Sequence, residues 1–572
     1  MKPFDHNKFI GYLSEITPTY VRMQIPTSNL LHSFYYEGNV FEGGIVGSFV
    51  VIEGQDYGFL SRITEICLPQ GERIEITENK IHAQDAEFHP MAKMELLGVF
   101  DVFRPQKLQK TVARYPRIGA KVYACSDEQI EYYIKKFGNN STEDNGPYTS
   151  IGRLTSNNAV CNVSLNSLFG RHCAILGTTG GGKSWTVATL LEALCNNTNN
   201  KCILIDATGE YSDISDKMLS VDMGVGNSVF PYQHLTIDEL YFLLHPSSKT
   251  QVPRLMEAIR SLKIARLAES TGVNAALTKY INNGNLIKAN QEKRAYQEFY
   301  YANISEIESN NCDFDFLRLA QQITNECIWD TDRSDDKKWG GRIENDVANC
   351  ISLISRINNI LNTEEYNRIF CFKGKDESQK DLIDELTNFL TDKDKQLFRI
   401  DFSNVSFDYQ IREILVNSLG KHLLEQARKG IYKDSPLVVF VDEAHQFLNK
   451  SISDEYFATK PLDAFEQISK EARKYGLFLC IATQMPRDIP LGTLSQMGSF
   501  VVHRLINEQD KKAVESAASS ANRNALSYLP ILGEGEAVLL GVDFPMPLTV
   551  KVNAPINKPN SKTPSLSNPR DL

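Results

Sequence analysis

The stretch Ile175-Leu-Gly-Thr-Thr-Gly-Gly-Gly-Lys-Ser184 constrains the fold of this chain more than any other. It fits the phosphate-loop pattern G-x-x-x-x-G-K-[S/T], with Gly177, Gly182, Lys183 and Ser184 at the fixed positions. The apolar run Cys173–Leu176 before it predicts a buried strand, and Trp185–Leu194 after it carries apolar residues at helical spacing. In a strand–glycine loop–helix unit, successive backbone N–H groups turn inward around a phosphate chain and the helix N-terminus adds positive potential. Gly177, Thr178, Thr179, Gly180, Gly181, Gly182, Lys183, Ser184 and Trp185 are therefore the expected nucleotide-binding residues. Lys183 is expected to reach the β- and γ-phosphates of ATP, and the Ser184 hydroxyl to ligate Mg2+. The competing reading is a glycine-rich turn that binds nothing.

A second apolar run, Leu437-Val-Val-Phe-Val-Asp-Glu443, ends in two acids. Open α/β sheets bind ligands at the C-terminal ends of their strands, so this run predicts a strand that delivers Asp442 and Glu443 to the phosphate site. Asp442 is the expected holder of Mg2+ through its water shell. Glu443 is the expected base that orients and deprotonates the attacking water, with a helix N-cap or first-turn acid as the alternative. After the following apolar run comes Ala482-Thr-Gln-Met-Pro486. Gln484, with Thr483 second, is the residue expected there to link the γ-phosphate to the rest of the sheet.

Around these motifs the pattern divides the chain. Residues 1–145 carry short runs (Gly11–Pro18, Thr19–Ile25, Gly44–Ile52, Tyr57–Ile66, Lys93–Phe100) separated by Gly, Pro and Asp turns, and predict a small β-barrel. Asn139–Pro147 reads as a loop at the domain edge. Strand and helix patterns alternate over 150–245 and again over 393–550, the two parts of one parallel-sheet core. Between them, 246–392 shows helical spacing in Leu255–Ala268, Phe316–Ile328 and Ile343–Leu361, and predicts a helical insertion. Residues 551–572 end the chain in a Pro-, Ser- and Asn-rich stretch with little to bury, expected as an extended tail.

Bulk properties set outer limits. At 572 residues the chain exceeds one core. No run of eighteen apolar residues is present, so a membrane span is not expected. The first residues lack a signal-peptide core, and eleven cysteines without a C-x-x-C pair suit a reducing cytoplasm. A net charge of −10 argues against coating nucleic acid over the whole surface, but not against a local basic lining. Arg104–Lys121, with six basic residues and no acid, is one candidate, unless it is a solvated face or a linker from barrel to core. Arg254, Arg260, Lys263 and Arg266, mostly three apart on a predicted helix, are a second candidate for polyanion contact, with solvation as the bland default.

Taken together, these residues resemble the HerA-type ATPases of the HerA/FtsK superfamily. The resemblance rests on Arg171–Ser184, Ile205-Asp-Ala-Thr-Gly-Glu-Tyr211, Val441-Asp-Glu-Ala-His445, Ile468–Gly476, Ala482–Pro486 and His503-Arg-Leu505, in order and at similar spacing. It departs at Gly181, often Ser in the family, at Met485, commonly Arg, and across the insertion. The resemblance implies a RecA-like α/β phosphate-loop core with an N-terminal barrel. It also implies a hexameric ring that moves double-stranded DNA, and a neighbour's arginine completing each site. Arg171 matches the family arginine ahead of the loop and is the first candidate for that trans role; Arg473 and Arg504 are alternatives. A nuclease or a sirtuin-like NAD-cleaving effector, docked on the barrel, is the implied partner, in DNA processing or anti-phage defence. An ATP-switched scaffold that recruits an effector without translocating DNA is the alternative. A conjugation-type ATPase and a protein unfoldase rank below both.

Overall fold

The computed structural model describes residues 3–561 apart from 43, 71–87, 110–113, 137–145, 157, 226, 272–274, 408–409, 449–461, 519–522, 543 and 545. Near the N-terminus lie β1 (Phe9–Ile16), β2 (Val21–Gln24), the separate ribbon of β3 (Ser33–Tyr36) and β4 (Asn39–Glu42), then β5 (Phe49–Ile52), β6 (Tyr57–Cys67), β7 (Met91–Asp101), β8 (Arg104–Gln109) and β9 (Lys121–Ala124). The main strands bond in the order β2-β1-β9-β5-β6-β7-β8, and β2 also pairs with β7, which closes six of them into a barrel. Strand alternation gives the barrel two apolar surfaces. Val50 and Ile52 fill its interior with Ile10, Leu13 and Met23, while Phe49 and Val51 face outward into a cluster shared with the large sheet.

Two sequence expectations shift here. The run from Gly44 begins as a strand only at Phe49, because Gly47 sits at φ +100°, a turn conformation closed to strands. The described ends of the basic segment Arg104–Lys121 belong to the barrel sheet, Arg104 in β8 and Lys121 in β9, and Arg114 stacks 3.9 Å over the Tyr57 ring. Lys110, and most of the Asn139–Pro147 loop, lie outside the described residues.

After the helix α1 (Asp127–Lys136) the core begins with β10 (Tyr148–Leu154), β11 (Val160–Ser164), β12 (Cys173–Leu176), α2 (Lys183–Asn197), β13 (Cys202–Asp206) and β14 (Met218–Asp222). Next come helices α3 (Gln251–Thr271), α4 (Leu319–Glu326), α5 (Glu344–Asn362) and α6 (Leu382–Thr391), with two ribbons, β15 (Ser228–Val229) on β18 (Lys380–Asp381) and β16 (Ile281–Asn282) on β17 (Asn285–Leu286). The core resumes with β19 (Leu397–Asp401), α7 (Ile411–Arg428), β20 (Leu437–Val441), α8 (Ala464–Glu471), β21 (Leu477–Thr483), β22 (Ser499–Val502), β23 (Glu536–Gly541) and β24 (Leu548–Val552). These strands form one eleven-stranded sheet, β11-β10-β24-β23-β22-β12-β21-β20-β13-β19-β14. From β22 to β14 the strands are parallel, and β23, β24, β10 and β11 extend the sheet antiparallel. The fold is a RecA-like α/β core carrying an N-terminal barrel and a helical insertion.

The parallel strands read as unbroken apolar runs because both faces are covered. Ala174, Ile203, Val439 and Ile481 face α3, α5 and α7, whereas Ile175, Leu204, Phe440 and Ala482 face α2 and the barrel. The insertion shares the first of these cores: Leu255, Ala258, Ile259 and Leu262 of α3 lie in the same cluster as Ile203 and Phe398. Its basic face is committed internally. Arg254 bonds Asp346, Arg260 bonds Glu257 and Glu308, Lys263 bonds the Ser309 carbonyl, and Arg266 pairs with Asp313. Carboxylates and one carbonyl, most of them supplied by other segments, thus occupy the cations the sequence offered to a polyanion.

Candidate nucleotide site

The loop after β12 is held open by its glycines. Gly180 and Gly182 take φ +73° and +103°, and a Cβ on Gly177 would stand 2.6 Å from the Cβ of His503. The helix α2 starts at Lys183 with no side-chain cap, so its first N–H groups remain available to an anion. Beside the loop opens a cleft of about 660 Å³, lined by Thr178, Thr179, Ser184, Glu210, Gln484 and Lys551 among others. Its size fits a nucleotide-sized ligand.

Sheet order explains how distant motifs meet. β20 is separated from β12 by β21 alone, so the two strand ends lie roughly 10 Å apart and a lysine on the loop can reach across. Lys183 Nζ pairs with Glu443 Oε1 and lies 3.7 Å from Asp442 Oδ1. The intervening β21 ends in Thr483, and the next residue, Gln484, accepts a 2.6 Å hydrogen bond from the Thr179 hydroxyl through Oε1. Lys183, Asp442, Glu443 and Gln484 are thereby gathered around the loop. Glu443 adopts a left-handed backbone conformation, φ +44°, which turns its side chain back toward Lys183. His445 Nδ1 stands 3.3 Å from Glu443 Oε2 and 3.1 Å from the Thr483 hydroxyl.

Electrostatics make this an anion site that also calls for a cation. Burial pushes the Asp442 carboxyl up to about 6, with Glu443, Asp206 and Glu210 adding to the rise and Lys183 opposing it. Burial would depress the Lys183 ammonium, but Asp442, Glu443 and Glu210 outweigh it and hold the group above its ordinary value, so it stays charged. An ATP phosphate chain brought against these carboxylates would be repelled without a counterion. The residues present fit Mg2+: Asp442 Oδ1 is buried with no hydrogen-bond partner, while Oδ2 accepts a 3.2 Å hydrogen bond from the Tyr211 hydroxyl. Among the described residues no cluster of three His, Cys, Asp or Glu side chains forms a metal cage. A nucleotide-bound Mg2+ needs none, since water and phosphate supply most of its ligands.

Sequence reading left several contributors without a role. The turn after β13 brings Glu210 to the cleft and Tyr211 to Asp442. That turn is fixed by Asp206, which accepts hydrogen bonds from the backbone N–H groups of Thr208, Gly209 and Tyr211 and is itself held by Arg399. His503, after β22, bonds the Thr186 hydroxyl of α2 through Nε2 at 2.8 Å and the Glu536 carbonyl through Nδ1 at 2.9 Å. Of the stretch 551–572, Lys551 and Val552 end β24, residues 553–561 dock on the core, and 562–572 lie outside the described residues. Ile556 N and Asn557 N donate to the Glu192 carboxylate on α2, Asn560 N donates to the Glu210 carbonyl, and Lys558 lies over the Trp185 ring. Polar groups, which hydrophobicity does not score, dock it.

The three candidate arginines separate. Arg504 lies beside its own loop, its carbonyl accepting from Thr178 N and Oγ1. Arg171 is exposed before β12, at the strand end away from the loop, up to roughly 20 Å along the chain from Gly177. Arg473, also exposed, sits at the same edge, after α8 and close to His172.

Two family models match this chain: "Helicase HerA, central domain" over residues 149–423 and "Helicase HerA-like C-terminal" over residues 421–570. The chain belongs to the HerA family. It is 24% identical over 523 residues to a probable helicase of Methanocaldococcus jannaschii, covering 89% of this chain and 86% of that one. It is 25% identical to the DNA double-strand break repair helicase HerA of Sulfolobus acidocaldarius, covering 79% and 76%. Among solved structures, the bacterial conjugative coupling protein TrwBdeltaN70 aligns at a TM-score of 0.44 and 13% identity, covering 75% of this chain and 93% of that one. This HerA-family chain is an ATP hydrolase of the phosphate-loop class. No helix among its described residues is long and apolar enough to cross a membrane.

Proposed function

We propose that this HerA-family ATPase assembles as a ring, a hexamer, that hydrolyses ATP with Mg2+ to move double-stranded DNA through its channel. The observation that carries the catalytic reading is the meeting of Lys183 with Asp442 and Glu443 at the mouth of the phosphate loop. Incoming phosphates compete for the Lys183 ammonium, and its departure frees the Glu443 carboxylate to take a proton from the attacking water. His445, its imidazole pushed down by burial with Glu443 opposing, stands beside that carboxylate. Mg2+, held by Ser184 and Asp442, would neutralise charge on the β- and γ-phosphates. Gln484, bonded to Thr179, carries occupancy of the site to β21. Arg171, exposed and remote from its own loop, is assigned to the neighbour's site. The effector, a nuclease or an NAD-cleaving protein in DNA processing or anti-phage defence, docks on the barrel. All eleven cysteines are free, which supports a cytoplasmic setting.

Glu443→Gln tests the reading. It should bind ATP with wild-type affinity while turnover falls about 10²- to 10⁴-fold. Lys183→Ala should lose both binding and turnover. Hydrolysis retained in either variant overturns the assignment. Motor function is read separately, as ATP turnover stimulated by double-stranded DNA together with strand displacement by the wild-type ring.

A further inference from the structure

We propose that Tyr211 is the positioning residue for the metal side of the site: its hydroxyl, bonded to Asp442 Oδ2, holds that carboxylate so that Oδ1 stays turned toward the ion. This rests on the reading of Ser184 and Asp442 as the residues that hold Mg2+.

The geometry separates the two oxygens of Asp442. Oδ2 accepts from the Tyr211 hydroxyl at 3.2 Å; Oδ1 is buried, has no hydrogen-bond partner, and stands 3.7 Å from Lys183 Nζ. A tyrosine hydroxyl is a donor, and this one gives its hydrogen to Asp442. The ring that carries it is fully buried, at 0% exposure. Its backbone is pinned as well: Tyr211 N donates to Asp206 Oδ2 at 3.2 Å, and Arg399 Nε holds that same oxygen at 2.8 Å. A rigid support therefore runs from the adjacent strand β19 through β13 to Asp442, which would meet the metal. A ring needed only for packing would leave its hydroxyl without such a partner, at a desolvation cost. Tyr432 is such a ring, buried with an unpartnered hydroxyl. Partners that orient metal-holding groups are worth about 10- to 100-fold in metal affinity.

The test is a Mg2+ titration of binding to a fluorescent ADP analogue, repeated with Mn2+, on the full-length wild type and on Tyr211→Phe. Phenylalanine keeps the ring and its packing, and a thermal melt together with ADP affinity in EDTA checks the fold. The half-saturating metal concentration should rise about 10- to 100-fold, metal-free ADP affinity should be unchanged, and turnover should recover as Mg2+ is raised. Tyr432→Phe, which also loses a buried hydroxyl, should leave the titration where it was. A Tyr211→Phe curve superimposable on wild type overturns the proposal, and so does an equal shift in Tyr432→Phe. Should Ser184→Ala and Asp442→Asn move the curve while Tyr211→Phe does not, the metal site stands and the tyrosine's role falls. Should none of them move it, the metal reading fails with it.

Discussion

Two glycines of the phosphate loop share a left-handed backbone and differ in what surrounds them. Gly180 is at φ +73° with nothing within 4 Å of where a Cβ would go, whereas Gly182, at φ +103°, would place a Cβ 2.8 Å from the Cα of Gly535. An alanine at 180 meets only the backbone penalty, about 1 kcal/mol. At 182 the same penalty is joined by a clash with backbone that the Gly535 N–H bond to the Gly181 carbonyl holds in place. Gly182→Ala should therefore lose nucleotide binding by more than tenfold and unfold with a loss of roughly 2–3 kcal/mol. Gly180→Ala should keep most of both. Denaturant unfolding and ADP binding on the two variants decide it, and equal effects would mean that the Gly535 contact is not what constrains the loop.

At the scale of elements, His503 ties the loop helix α2 to the antiparallel extension of the sheet through Thr186 and the Glu536 carbonyl. Burial pushes its imidazole down to about 4, and burial does the same to His172. The unfolded chain takes up these protons near pH 6.5, the folded one only near 4, so the stability they contribute is complete above pH 6.5 and is lost as pH falls. Between pH 7 and 5 the loss is about 2 kcal/mol per histidine. Asp442, pushed up by burial, acts in the opposite sense below about pH 6, so His503 is best read by difference. His503→Gln should lose about 2 kcal/mol less than wild type over that interval, measured by denaturant unfolding at both pH values. Equal losses would mean that His503 protonation is not coupled to unfolding. The same element marks the edge of what the sequence discloses. Strands such as Leu437–Val441 and Leu477–Thr483 were legible because burial on both faces writes itself as an apolar run. The loop, Asp442 and Glu443 stand out in the sequence because a fixed pattern sets the loop and an apolar run places the two acids at a strand end, and the structure brings Lys183 beside both. His503 and Tyr211 stood in recognisable motifs, but their partners, Thr186 and Asp442, come from other segments and leave no local signal. The cations of α3 looked free for the same reason.

At the scale of the whole molecule, the barrel and the ATPase sheet share a continuous core: Phe49, Val51 and Phe100 lie in one cluster with Ile175 and Phe440. Each subunit of the proposed ring would then move as a unit, and communication would have to pass between subunits at the nucleotide sites. Arg171 is the residue proposed to make that link, and its place before β12, exposed and away from its own loop, predicts a result that a local role does not. Arg171→Ala and Lys183→Ala should each give an inactive ring. Mixed in equal amounts and allowed to exchange subunits, the two should regain hydrolysis, because an Arg171→Ala subunit supplies an intact loop and a Lys183→Ala neighbour supplies an intact arginine. In a head-to-tail ring about one site in four has that pairing, so independent sites would return roughly a quarter of wild-type turnover. An arginine acting within its own subunit leaves every subunit defective, and a mixture as inactive as its components would remove Arg171 from the trans role and pass the assignment to Arg473, which stands at the same edge of the sheet.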